Sequence, residues 1–170
     1  MSVVSNATNS DGEAAEHNRF TRYALNLQGF SDFNDAEKRA IDGALRFTPA
    51  VCAVLVVVGT ALQWPLWQFA LAGVAIMGAA FARGNLIDAA FNYGVRHVLN
   101  TEKLPSNPRP RRFACFVVSV MLTGSGLAFG FDVPIAGFAL GGGLAAVLAL
   151  NASSNWCLGA WMYRLTRLPA

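Results

Sequence analysis

The stretch RFTPAVCAVLVVVGTALQWPLWQFALAGVAIMGAAFA, Arg46–Ala82, decides how this chain is read. From Thr48 to Ala82 it contains no charged residue. It breaks once, at Trp64-Pro65, into the apolar runs Phe47–Gln63 and Leu66–Ala82. Each run has about 17 residues, the short end of what crosses a hydrocarbon core of ~30 Å. Proline is tolerated in the first turn of a helix, where its missing N–H is not needed. The break therefore predicts two helices joined by a tight turn. Gln63, Trp64 and Trp67 fall where an interfacial aromatic belt is expected.

The pattern recurs downstream. Phe113–Phe131 and Pro134–Leu150 are two further apolar runs, parted by Asp132-Val133-Pro134. Between Phe113 and Arg164 the only charged residue before the arginine is Asp132. Charged residues make up 14% of the chain, against about 25% in soluble domains. They are also segregated, whereas a soluble helical bundle would spread them over every exposed face. The expected fold is an all-α integral membrane protein with four transmembrane helices arranged as two hairpins.

Ahead of the runs, residues 1–33 read as a disordered or weakly structured tail. Residues 1–18 are polar and rich in Ser, Asn, Gly and Glu. Arg19–Phe30 could form a short surface helix through Phe20, Tyr23, Ala24 and Leu27. The first 30 residues hold no basic segment followed by an apolar core, so the first hydrophobic helix is expected to act as the insertion signal. Asn34 followed by Glu37 has capping-box spacing and marks a helix start. Ile41, Leu45 and Thr48 share a face of that helix, which is expected to lie along the membrane surface. Pro49 either kinks a continuous helix or opens a new one. The membrane domain is read as residues 34–168.

The thirteen Lys and Arg residues give a net charge of +3. They sit before the first run, between the second and third, and after the fourth, while the two hairpin turns contain none. This pattern excludes a nucleic-acid surface and follows the positive-inside rule. It predicts a multi-pass protein of the bacterial inner membrane with both termini in the cytoplasm and the lipid bilayer as its main partner.

A shift of 66 residues lays Arg46-Phe47 on Arg112-Phe113, Asn85 on Asn151 and Leu99 on Leu165. The order of elements repeats with the residues, which predicts a duplication: repeat one 46–99, repeat two 112–165. Both copies would have the same orientation, as parallel repeats. Each hairpin is followed by a segment read as an amphipathic interfacial helix. In the first, Asn85, Asp88, Asn92 and Arg96 recur at helical spacing, with Ile87, Ala90, Phe91, Val95 and Val98 opposite. In the second, LNASSNWCLGAWMYRL (Leu150–Leu165) begins with Asn151 and carries Cys157. Small residues at four-residue spacing, Gly126 with Gly130 and Gly137 with Gly141, and the run Gly141, Gly142 and Gly143, predict close helix packing.

PRPRRFA (Pro108–Ala114), LNA (Leu150–Ala152), CLG (Cys157–Gly159) and MY (Met162–Tyr163) together resemble a bacterial membrane family. It is catalogued as domain of unknown function 4395, and the similarity covers about Ala40 to Arg167. The resemblance implies a four-helix membrane domain and no established activity. The family commonly reads CLGC, whereas this chain has Ala160 at the last position. A vicinal dithiol is therefore excluded at this motif.

The chemistry-bearing residues are few. Cys52, Cys115 and Cys157 all fall near the basic ends of their segments, and Cys157 is the candidate for thiol chemistry, since a helix N-terminus would favour its thiolate. Asp88 is expected to pair with Arg83, Arg96 or Arg112. No metal-ligand spacing, phosphate loop, catalytic triad or cofactor motif is present, so the reading leans away from an enzyme. The first functional expectation is a structural or accessory membrane protein that packs within a larger assembly or a homo-oligomer. The alternatives are a thiol-dependent redox or sulfur-handling protein using Cys157, and a small-solute permease.

Overall fold

The computed structural model describes residues 19–99 and 101–166, and among these every regular element is helical. Helix α1 covers 19–27. It is followed by α2 (Asp35–Ala61), α3 (Pro65–Ala80), α4 (Leu86–Ala90), a π turn (Phe91–Val95) and α5 (Arg96–Leu99). Then come α6 (Arg109–Gly130), α7 (Pro134–Ser154) and α8 (Leu158–Thr166). Helices α2, α6 and α7 are long and apolar enough to cross a membrane. Helix α3 has 16 residues and rises ~24 Å, short of a ~30 Å core.

The capping box forms as its spacing predicts. Glu37 N–H donates to Asn34 Oδ1 at 2.9 Å, and Asn34 N–H donates to Glu37 Oε2 at 2.8 Å. From there α2 runs unbroken for 27 residues with Pro49 inside it. The proline removes one donor from the ladder, yet the helix continues. The segment before Pro49, expected to lie along the membrane surface, is continuous with the rest of α2. Its apolar face is covered by protein: Ile41, Ala44 and Leu45 pack with Leu25, Phe30, Phe91 and Leu104.

Residues 1–18 of the expected tail lie outside the described residues. The rest of it is ordered around α1, where Ala24, Leu25, Leu27 and Phe30 are buried. The expected apolar face is partly reversed, because Phe20 and Tyr23 point outward. The buried face is the one turned toward α2 and α8. Arg164 of α8 donates to the Leu27 carbonyl at 3.4 Å and to the Asn26 carbonyl, capping α1 from outside. Asn155, in the left-handed conformation at the end of α7, is fully buried and ties three elements together. Its Nδ2 donates to Asp42 Oδ1 at 2.5 Å, and its carbonyl accepts from Gln28 Nε2 at 2.5 Å.

The two hairpin turns have the same construction. Gln63 and Asp132 are both left-handed, with φ of 48° and 57°. Trp64 N–H reaches back five residues to the Gly59 carbonyl, as Val133 N–H does to Ala128. Gln63 N–H reaches back three to Thr60, as Asp132 N–H does to Phe129. These are Schellman motifs, each with proline opening the next helix. The hairpins differ in how they close. Helices α6 and α7 pack along each other, but α2 and α3 touch only narrowly, so the expected tight first hairpin is splayed. Instead α3 packs broadly on α6 and α2 on α7.

Arginines lock this crossed pairing. Arg112 at the start of α6 donates from Nε to the Ala79 carbonyl at 2.9 Å and from Nη2 to the Ala80 carbonyl at 2.6 Å. Arg46 in α2 donates from Nη1 to the Ser153 carbonyl at 2.9 Å, near the end of α7.

The glycines divide into two sets. A Cβ at Gly126 would meet the Phe69 ring, one at Gly137 the Phe129 ring, and one at Gly141 Thr60 and Ser125. Gly130, Gly142 and Gly143 have nothing within 4 Å. Replacing Gly141 by valine is expected to destabilise the bundle by about 1–3 kcal/mol through overpacking. Gly142→Val is expected to leave the melting temperature of the detergent-solubilised protein unchanged.

Candidate functional site

Four helices and α8 surround a cavity of about 200 Å³ at the end of the bundle where the arginines cluster. Each wall follows from helical spacing. Thr48, Cys52 and Val56 line up along α2, and Leu71, Val74, Ala75 and Gly78 along α3. Arg111, Cys115, Val118 and Leu122 do so along α6, and Leu144, Leu148 and Asn151 along α7. Cys157, Leu158, Gly159 and Met162 close one side. The deep end is sealed by Val56, Leu122, Leu144 and Leu148, which belong to the main apolar cluster.

All three cysteines, far apart in sequence, line this cavity. They are free thiols, and Arg111 is within electrostatic reach of each. Cys157 stands directly before α8, as the helix-start reading requires. Its carbonyl accepts from Trp161 N–H at 3.0 Å. Burial nevertheless pushes the Cys157 thiol above its ordinary pKa, outweighing the N–H groups of Ala160 and Gly159 and the Arg111 charge. Ala160 is fully buried in the same cluster as Cys157 and Leu27.

The ionisable centre lies beside the cavity. Asn85 caps α4 through its Oδ1, accepting from Ile87 N–H at 3.1 Å and Asp88 N–H at 3.4 Å. This fixes Asp88 in the first turn of α4. Thr48 Oγ1 donates to Asp88 Oδ1, and Asn107 Nδ2 donates to Asp88 Oδ2 at 2.9 Å. Arg111 Nη2 stands 4.0 Å from Asp88 Oδ1. The expected partners of Asp88 are corrected by this arrangement. Arg112 is committed to the end of α3, Arg96 Nε donates to the Asn92 carbonyl at 2.6 Å, and Arg83 is exposed.

The polar face read on Asn85, Asp88, Asn92 and Arg96 turns mostly inward. Asn85 and Asp88 are buried. Asn92 clasps the loop before α6, accepting from Leu104 N–H at 2.8 Å and donating to its carbonyl at 3.3 Å. On the apolar side Phe91 is buried, while Val98 is 85% exposed. Asn151 lines the cavity.

Sequence reasoning missed Thr48, Asn107 and Arg111 as site residues. Arg111 had a readable signal, since it lies four residues before Cys115 and eleven before Leu122 on one face. His97 is exposed on α5. Among the described residues no three His, Cys, Asp or Glu side chains are grouped to hold a metal ion.

Two outcomes follow from this geometry. Asp88→Asn strips a buried guanidinium of its counter-charge and is expected to cost on the order of 3 kcal/mol. The double variant Asp88→Asn/Arg111→Gln is expected to recover part of the lost melting temperature. Because burial raises its pKa, Cys157 at pH 7.5 is expected to react with a maleimide more slowly in the folded protein than in the denatured one, with the rate climbing as pH rises and thiolate forms. Mass spectrometry of the folded and denatured protein measures both rates.

No curated protein and no solved structure matches the chain. The family model described as domain of unknown function (DUF4395) matches residues 42–167, which contain all of α3 to α8 and every residue lining the cavity. The chain is a member of that family.

Proposed function

We propose that the protein holds a small, largely apolar molecule in the cavity at the cytoplasmic ends of a four-span bundle in the bacterial inner membrane. The observation that carries this reading is the cavity itself. A cavity of ~150 Å³ lined by apolar side chains binds benzene, and this one is larger, at about 200 Å³. The orientation rests on the positions of the thirteen basic residues in the sequence, none of which falls in a hairpin turn. The thiols act here as soft, polarizable walls. The buried, protonated state favoured for Cys157 does not suit a resting nucleophile.

An internal duplication belongs to this reading. The matched Schellman turns, the exchange of arginine caps and the crossed pairing of α2 with α7 and α3 with α6 support it. A second reading, helix packing within an assembly or homo-oligomer, is favoured by the outward Gly142 and Gly143 of α7, whose flanks are open. Native mass measurement decides it: a strictly monomeric particle without a co-purifying protein removes it.

The cavity reading is tested with neutral n-alkyl amides of increasing chain length added to the detergent-solubilised full chain. Melting temperature is expected to rise to a maximum at intermediate length and to fall back for longer chains. Ala75→Phe, which fills the cavity from α3, is expected to abolish the rise. No shift with any amide overturns the reading.

A further inference from the structure

The cavity is apolar on nearly every side, yet one charged group stands in its wall. Of the residues lining it, Arg111 alone carries a charge. Asp88 stands behind that wall, and each of its oxygens accepts one hydrogen bond, from Thr48 and Asn107. The contact between Arg111 and Asp88 is long, at 4.0 Å, and involves only Nη2. On one flank the guanidinium meets the Phe30 ring, with 6.0 Å from its carbon to the ring centroid. Arg111 is 9% exposed, and its Nη1 is buried with no hydrogen-bond partner among the described residues.

A buried donor on a charged group left unmatched is costly, and the great majority of such groups are satisfied by protein, water or ligand. Nη1 is thus a buried charged donor, on a residue that lines the cavity, which a bound acceptor would match. A carboxylate suits it, because the two oxygens match the planar fork of arginine. The surroundings add to the same preference. The start of α8, at Leu158 and Gly159, faces the same cavity, and a helix N-terminus favours negative charge.

The rest of the cavity sets the other half of the ligand. Scaled from benzene in its ~150 Å³ cavity, a volume of about 200 Å³ holds about eight heavy atoms. We propose that the cavity binds a compact monocarboxylate with a short apolar body, its carboxylate on Arg111 and its tail among Val56, Leu71, Val118 and Leu122. This rests on the cavity reading above and adds the charge and size of the ligand. The volume favours a short-chain acid over a long-chain fatty acid released from lipid.

The test compares hexanoate with hexanamide, which differ in charge and share a shape, by calorimetry on the full chain in uncharged detergent. A hydrogen-bonded charge pair is worth enough that hexanoate is expected to bind at least ~10-fold more tightly. Arg111→Lys keeps the charge and loses the fork, so it is expected to retain part of the preference. In Asp88→Asn/Arg111→Gln, which leaves no unpaired buried charge, the preference is expected to vanish while hexanamide still binds. Equal affinity for the two probes in the unaltered protein overturns the carboxylate assignment and leaves the cavity reading standing. Binding of neither overturns both. Palmitate is expected to bind more weakly than hexanoate, and tighter binding of palmitate overturns the short-chain assignment.

Discussion

A helix that ends near a membrane surface leaves its last carbonyl groups without donors, and in a poorly hydrated setting each costs several kcal/mol. In this protein the last turns of α3 and α7 are each capped by an arginine from the other hairpin. Arg112 serves α3 and Arg46 serves α7. The reach of a guanidinium is short, so the caps require α6 beside α3 and α2 beside α7. In the same arrangement α2 and α3, neighbours in sequence, touch only narrowly. The cavity lies at the capped end, walled by α2, α3, α6 and α7.

The apolar runs, the prolines and the segregation of charge made the helices legible, because hydrocarbon imposes length and backbone satisfaction directly on sequence. The capping box at Asn34 and Glu37 was legible for the same reason, being local. What escaped was non-local. Phe20 and Tyr23 look like a buried face until α2 and α8 choose the other side of α1. Asn85 and Asp88 look like a solvated stripe until Thr48, 40 residues earlier than Asp88, and Asn107 arrive to meet the carboxylate. The convergence of Cys52, Cys115 and Cys157 depends on the crossed pairing of the hairpins, which no local pattern encodes.

Two electrostatic effects compete at Cys157, and their outcome matters for the chemistry. The start of α8 and the Arg111 charge pull toward thiolate, but the apolar surroundings prevail. Arg111 stands in the same surroundings, with Asp88 Oδ1 4.0 Å from its Nη2 and the Phe30 ring on its flank. Burial thus works against the thiolate of Cys157 on the wall where the cavity presents its arginine.

Each hairpin also carries a polar clasp of its own near the turn. Gln68 Nε2 donates to Thr60 Oγ1 at 3.0 Å in the first, and Ser125 Oγ donates to the Gly137 carbonyl at 3.0 Å in the second. The clasps are internal to a hairpin, whereas the arginine caps are exchanged between hairpins. This division makes the two halves unequal in what they can satisfy alone. The first hairpin contains both partners of its clasp. The donor for the Ala79 and Ala80 carbonyls lies outside it, in Arg112 of the second hairpin. The end of α3 is therefore completed only by sequence that follows it by some thirty residues.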